Sequence, residues 1–379
     1  MPSKPQVHVP HKSRTELAEQ LEEKNRKIRE QEAQIKELSK ENRHLGDEQT
    51  DSDRVRQEIF KLSKMKVNPP EWLTERPTGP IHGPGCPVAF ASDWHFGEVI
   101  DPKQVNDRNE FNPLIAEQRA KTFFSNIVML LKQHMVHPIY PGIVLCLGGD
   151  MVSGDIHDEL TNTNGNTTMQ AVSHVTRCLI SGINLLQKEF GRVAIPCVSG
   201  NHGRTTLKTP TKNRAYTNFD WLICNQLEQY YSTKYEGQDS PVKFMISSGI
   251  DQRFDIYDKK FLLTHGDNLG KGGDGIIGAL GPILRGDTKM RSTYTQLGQS
   301  YDVMLCGHYH QLLWLSKVIC NGSLCGYSEF ANTIRCAFEP PRQALFCVHP
   351  EHGITYQMPI NVELSQHSPK QVPWFSWPA

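Results

Sequence analysis

Short apolar runs recur through the middle of the chain, each bounded by turn residues. Val88–Ala91, Ile143–Leu147, Val193–Val198, Phe261–Thr264 and Val303–Cys306 read as buried strands. Longer stretches between them carry the helical period. In Leu114 to Met135, Ala116, Ala120, Phe123, Ile127 and Leu131 fall on one helix face, and Val172–Phe190 and Phe219–Tyr230 read as further helices. After His310 the pattern turns strand-rich, over Leu312–Ile319, Ala344–Val348 and Ile354–Met358. Strands alternating with helices predict an α/β domain.

The first residues follow a different rule. With heptad position a at Arg14, Leu21, Ile28, Ile35 and Asn42, position d falls on Leu17, Lys24, Gln31, Leu38 and Leu45. Six of these ten seam positions are Leu or Ile in a background of Glu, Lys, Arg and Gln, which predicts a coiled coil or a single solvated helix. Asn42 at an a position favours a parallel dimer. A second short helix is expected at Val55–Lys66, ended by Pro69-Pro70. The expected organisation is a disordered N-terminus (1–13), a helical coiled-coil region (14–66), a Pro- and Gly-rich linker (67–86), a catalytic domain (87–362) and an irregular tail (363–379).

Composition narrows the classes. Lys and Arg number 41, as do Asp and Glu, so any grip on nucleic acid must be local. There is no apolar run of signal-peptide length and none near the roughly 18 residues of a membrane span. A cytoplasmic protein with no membrane partner is expected, bacterial or in the host cytoplasm if phage-encoded. Ten scattered cysteines form no Cys-x-x-Cys pair and read as buried free thiols.

Chemistry concentrates just past the strand ends. The first strand leads into Ser92-Asp93-Trp94-His95, the second into Gly148-Gly149-Asp150 and the third into Gly200-Asn201-His202. The fourth leads into Thr264-His265-Gly266-Asp267 and the fifth into Gly307-His308-Tyr309-His310. Loops at the carboxyl ends of strands are where open α/β sheets hold ligands. In extended backbone, residues i and i+2 point the same way, so Asp93 with His95 and His308 with His310 can face one ion while Trp94 turns into the core. Imidazole, carboxylate and amide donors without thiolate suit divalent manganese, iron, zinc or nickel. Each block alone is weak; five in one order, each after an apolar run, are not.

The ordered set Asp-x-His, Gly-Asp, Gly-Asn-His, His, Gly-His-x-His resembles the signature of calcineurin-like metallophosphoesterases, spanning Asp93 to His310. The resemblance implies a four-layer α/β/β/α sandwich, here with an N-terminal helical coiled-coil extension, and two divalent metal ions, manganese foremost. By position, Asp93, His95 and His310 correspond to ligands of one metal, Asn201, His265 and His308 to ligands of the second, and Asp150 to the bridging carboxylate. His202 resembles the family's catalytic histidine.

The chain departs from the phosphoprotein-phosphatase branch, which carries Gly-Asp-x-x-Asp-Arg-Gly and Gly-Asn-His-Glu. Here the blocks read Gly149-Asp150-Met151-Val152-Ser153-Gly154-Asp155 and Gly200-Asn201-His202-Gly203-Arg204. Residues 155–159 resemble phage-borne and bacterial members described as repair-exonuclease-like. Arg204, Lys208, Lys212 and Arg214 follow His202 with no acidic residue before Asp220, and a Gly-rich stretch from Gly270 to Gly286 precedes Lys289 and Arg291. These read as substrate-facing loops for a polyanion or as ordinary solvated loops. Arg204, Lys208 and His157 are the candidate substrate contacts; Tyr216, Tyr294 and Tyr309 could stack on bases or pack.

Three functions stay open: a nuclease or other phosphodiesterase acting on nucleic acid and dimerised through the N-terminal helix; a phosphomonoesterase or small-nucleotide phosphatase; and a catalytically weak assembly protein acting through its coiled coil.

Overall fold

The computed structural model describes residues 83–156, 158–270 and 280–363, and a few helical positions between residues 22 and 37. The expected coiled coil (apart from those positions), His157, most of the Gly-rich stretch and the C-terminal tail lie outside the described residues. The chain divides into two units, Met1–Lys66 and Val67–Ala379. In the first, the described positions include an exposed Lys27–Glu23 ion pair of 2.9 Å at helical i,i+4 spacing.

The second unit is α/β, with two sheets. In chain order its elements are β1 (Cys86–Ala91), α1 (Pro113–Val128), β2 (Ile143–Leu147), α2 (Asp158–Thr163), α3 (Thr168–Phe190) and β3 (Val193–Cys197). Then come α4 (Phe219–Lys234), β4 (Val242–Ile246), β5 (Asp251–Ile256), β6 (Lys259–Thr264), α5 (Leu280–Gln296) and β7 (Val303–Cys306). The chain closes with β8 (Leu313–Trp314), β9 (Val318–Cys320), α6 (Glu329–Thr333), β10 (Arg342–His349) and β11 (Gly353–Asn361). One sheet runs β11-β10-β1-β2-β3-β4, the other β5-β6-β7-β9-β8. The strands that carry the predicted site, β1, β2 and β3 in one sheet and β6 and β7 in the other, run parallel to their neighbours in that set.

Period-two alternation sorts each strand between two interfaces. Val88 and Phe90 of β1 face Phe261 and Leu263 of β6 and Val303 and Leu305 of β7 across the gap between the sheets. Ala89 and Ala91 turn the other way, onto Phe123, Ile127, Leu179 and Ile183 of α1 and α3. Leu262, Met304 and Cys306 turn outward from the second sheet onto Ile283 of α5. The order is therefore helices, sheet, sheet, helix.

Local signals explain the helix starts. Asn112 caps α1 with Pro113 in its first turn, Thr167 and Gln170 form a capping box at the start of α3, and Asn218 caps α4. The helix read as ending at Met135 changes to a π turn at Met129–Gln133. Two strands had no sequence signal strong enough to read. β5 sits at a sheet edge, and only Phe254 and Ile256 of its residues are buried. β4 is also a sheet edge, and only Val242 and Met245 of its residues are buried. The Gly-rich stretch read as a loop is helical from Leu280. Gly281, Pro282 and Gly286 lie inside α5, and a Cβ at Gly286 would meet the Leu269 backbone at 2.8 Å. Close packing, which has no sequence period, decided for helix there.

No helix among the described residues is long and apolar enough to cross a membrane. All ten cysteines are free, and most are buried.

Gly182 of α3 sits against the Phe124 ring, and a Cβ there would lie 2.0 Å from the Phe124 ring edge. Phe124 is wedged by the rings of Trp94 and Phe123. Gly182→Ala should lower stability by about 1–3 kcal/mol despite the better helix propensity of Ala, read as a fall in the urea midpoint.

Candidate metal centre

The loops after β1 and β2 run side by side. Asp93 N–H donates to the Gly149 carbonyl at 3.0 Å, Trp94 and His95 N–H to the Asp150 carbonyl at 2.9 and 3.1 Å, and Phe96 N–H to the Met151 carbonyl at 3.0 Å. The Leu324 amide adds a bond to the Asp93 carbonyl at 3.1 Å. This zipper places the first two sequence blocks in one cleft.

The local conformation differs from the extended one expected. Asp93, His95, Asp150, His308 and His310 all have left-handed backbone, with φ of 55°, 49°, 53°, 69° and 54°. A run of non-glycine residues at positive φ is costly and survives only where surrounding contacts over-determine it. Strand alternation therefore does not turn Asp93 and His95 inward together; two tight αL turns do. Trp94 still packs inward, fully buried among Phe96, Phe123 and Phe124, with its indole N–H on Gln343 Oε1 at 3.1 Å. Glycine is required at Gly200, where a Cβ would lie 2.1 Å from Asp150 Oδ1, and at Gly307, where it would lie 2.4 Å from Asp93 Oδ2.

All seven predicted ligands converge, with His202 beside them. His265 Nε2 lies 2.9 Å from Asp150 Oδ2 and 3.1 Å from Asn201 Oδ1. His95 Nε2 lies 3.2 Å from His310 Nε2, which is 3.4 Å from Asp93 Oδ1. The ring of His308 meets that of His265 edge-on at 5.3 Å, and its amide donates to Asp93 Oδ1 at 2.9 Å. Donor atoms of Asp150, His265 and His308 all lie within 4.8 Å of one another, as do those of His95, Asp150 and His202. Asp150 belongs to both groups.

The donor set fits a cation. His265 Nδ1 donates to the Gly148 carbonyl at 2.8 Å, which leaves the Nε2 lone pair aimed at two oxygens, Asp150 Oδ2 and Asn201 Oδ1. Three acceptors at one point need a positive charge among them. Without a metal a proton answers that need: burial opposes charging His265, but the Asp150 carboxylate prevails and raises it to about 10. His310 is likewise raised against the pull of burial by its contact with Asp93. The other imidazoles stay neutral. Burial and the neighbouring imidazoles lower His95, burial lowers His202, and burial with charged His265 lowers His308 to about 4. Asp150 stays ionised although burial opposes it, through the charge and hydrogen bond of His265.

His202 is placed for another task. Its amide donates to Asp150 Oδ1 at 2.7 Å and its Nδ1 to the Ser153 carbonyl at 2.9 Å, leaving Nε2 for the cleft.

The candidate substrate contacts fare differently. Arg204 staples its own loop, donating to the carbonyls of Asn201 at 2.7 Å, Thr206 at 3.1 Å and Leu207 at 3.3 Å. Arg214 pairs with Asp267 at 2.7 Å, tying the loop after His202 to the loop after His265. Arg291 bonds Asp287 and three carbonyls and locks α5 onto the second sheet. Lys208 and Lys212 are exposed on their loop. Tyr294 bonds Asp251 and Tyr309 packs in the outer core, while Tyr216 is exposed.

Sequence reasoning missed three groups. Asp220, buried at the start of α4, accepts the amides of Asp150 at 2.9 Å, Met151 at 3.0 Å and Gly200 at 2.9 Å, clamping the second block to the third. In sequence it reads as an ordinary acidic residue in a helix's first turn. Glu98 Oε2 lies 3.6 Å from His95 Nδ1, three residues along, and burial lifts its carboxyl to about 7. Cys325 Sγ comes within the same 4.8 Å grouping as His95 and His310; an isolated cysteine gives no motif.

No family model matches this sequence, and no curated protein matches it either. Some solved structures are similar in part. A single mutant of Vps29 from Entamoeba histolytica aligns with 73% of this chain and 99% of its own, at 13% identity and a TM-score of 0.28. The sulfate thiohydrolase SoxB from Thermus thermophilus, in complex with glycerol, aligns with 74% of this chain at 10% identity and a TM-score of 0.30. A 5'-nucleotidase candidate from Staphylococcus aureus, in complex with alpha-ketoglutarate, aligns with 76% at 11% identity and a TM-score of 0.31. This chain spans 57% and 56% of the latter two proteins. The functional reading rests on the residues of the site.

Asp220→Ala should leave three buried amides without acceptors and cost about 3 kcal/mol or more, measured by denaturant unfolding. The His265 proton yields a second expectation. Its pKa is raised from 6.5 to about 10 in the folded, metal-free state. The stabilisation it contributes is therefore full below pH 6.5 and is lost as pH rises through about 10. Adding a divalent metal to chelator-treated protein between those values should release a proton into weakly buffered indicator solution, and His265→Ala should release less.

Proposed function

We propose that this chain is a dinuclear-metal phosphodiesterase of the calcineurin-like metallophosphoesterase type, acting on nucleic-acid phosphodiesters. The observation that carries the reading is the position of Asp150. One buried carboxylate is shared between a group containing His95 and His202 and a group containing His265 and His308, as a bridging ligand would be.

Asp93, His95 and His310 would hold one cation, Asn201, His265 and His308 the other, and Asp150 both. Two such cations supply Lewis acidity for the phosphoryl oxygens and a water acidified towards neutrality. The chain's own groups do the rest. Backbone bonds hold the ligand loops rigid, so little reorganisation accompanies reaction. His202 keeps Nδ1–H on the Ser153 carbonyl and presents Nε2 to the leaving oxygen. To act as general acid it takes up a second proton, which burial opposes and the carboxylate of Asp150 favours. Lys208, exposed beyond His202, is the proposed phosphate contact, with Lys212 on the same loop. Arg204 acts through the loop that carries Lys208 rather than on the phosphate. The coiled-coil region expected over residues 14–66 would pair two copies of the chain.

Wild type and His202→Ala are to be compared on bis-p-nitrophenyl phosphate and p-nitrophenyl phosphate in manganese. Faster diester cleavage is expected, with the variant's kcat lower by about 100- to 10,000-fold and its metal content unchanged. Preference for the monoester would make the protein a phosphatase, and absence of metal-dependent turnover on either would overturn the reading. Deleting residues 1–66 should lower the mass in light scattering from that of a dimer to that of a monomer and leave metal binding intact.

A further inference from the structure

The loop after β9 carries Asn321-Gly322-Ser323-Leu324-Cys325-Gly326, and it is anchored at the metal centre from both sides. Leu324 N–H bonds the Asp93 carbonyl at 3.1 Å. The Cys325 carbonyl receives Arg119 Nη1 at 2.7 Å and Asn109 Nδ2 at 2.8 Å, and Arg119 also reaches the Leu324 carbonyl at 3.0 Å. Arg119 and Asn109 are themselves buried. The Gly326 amide bonds Ser323 Oγ at 3.0 Å, closing the turn. This leaves little freedom for the Cys325 side chain, which is fully buried.

Its Sγ and a ring nitrogen of each of His95 and His310 lie within 4.8 Å of one another. Like the buried thiols of Cys86 and Cys197, the Cys325 thiol lies against a nearby backbone carbonyl, that of Gly326 at 3.7 Å; what sets it apart is the pair of imidazoles beside it. Among the described residues, Cys325 is the cysteine grouped with potential metal donors. The guanidinium of Arg119, fixed on the same peptide, places positive charge beside the loop and offsets that of a thiolate.

We propose that Cys325 Sγ ligates the cation held by Asp93, His95 and His310, and that this site therefore takes zinc or ferrous iron in preference to manganese. The inference rests on the metal-centre reading and refines it. Thiolate is a soft donor that selects zinc and iron, whereas manganese prefers oxygen. The two sites would then differ in hardness, one with a sulfur donor and one with nitrogen and oxygen alone.

The full chain is loaded with cobalt(II) as a spectroscopic stand-in. A sulfur-to-cobalt charge-transfer band in the near ultraviolet is expected. Cys325→Ser should lose it with cobalt still bound, and Cys320→Ser, a buried thiol on the Gly307 carbonyl, should keep it. In zinc and manganese competition, Cys325→Ser should lower zinc affinity at this site about 10-fold or more. X-ray absorption at the zinc edge of wild type needs no variant to fold; a sulfur shell at about 2.3 Å is expected. Bound cobalt without the band, or a zinc shell of nitrogen and oxygen alone, overturns the thiolate ligand and leaves the metal centre standing. Failure of wild type to bind cobalt or zinc overturns both.

Discussion

Two carboxylates out of water set the terms for this molecule. Asp93 and Asp150 are buried between the sheets' loop ends, and burying an ionised carboxylate is costly unless positive charge and hydrogen bonds surround it. The surroundings read as answers to that cost. Asp93 takes the amide of His308, the hydroxyl of Ser92 and the imidazole of His310; Asp150 takes the amide of His202 and the imidazole of His265. Two imidazoles charge and three stay neutral, so protons hold the places where a cation would act.

That arrangement needs unusual backbone. Five left-handed residues in three loops each cost about 1–3 kcal/mol in isolation. They persist because two layers of contact hold them. The inner one is the zipper between the first and second blocks, closed by the Asp220 clamp. The outer one is a buried polar net in which Gln343 holds Ser92 and Trp94, and Asn321 reaches from the second sheet to Ser92. Behind both, the apolar seam between the sheets fixes how close the two sets of loops can come. Packing energy is thus spent on preorganising polar groups for chemistry.

The distribution of positive charge follows the same logic. With basic and acidic residues equal in number, the fold uses many of its arginines as internal fasteners. Arg119 fixes the Cys325 loop, Arg204 its own turn, Arg214 the pairing of two site loops and Arg291 the outer helix. Lys208 and Lys212, on the loop after His202, stay exposed. Arg204, a candidate phosphate contact in sequence, is thus a fastener of its own loop.

Strand and helix positions were legible because most buried strands here are compact apolar runs and α1, α3 and α4 each carry a 3.6-residue period and a cap. β5 was not, because an edge strand buries only part of one face. α5 was not, because glycines that allow close helix packing look like loop residues along a chain. The candidate ligands were legible for a similar reason: each stands immediately after a strand, so one-dimensional order and three-dimensional convergence coincide. Asp220, Glu98 and Cys325 carry no such mark, being single residues that reach the cleft from a helix start, a turn and a distant loop. The sequence by itself determined which side chains could hold metal and roughly where the strands that present them lie. Only the tertiary structure decided that left-handed turns rather than strand alternation aim Asp93 and His95, that the arginines bond inward, and that a thiol stands among the imidazoles. Those outcomes depend on contacts between segments far apart in the chain, and contact at a distance leaves no local period to read.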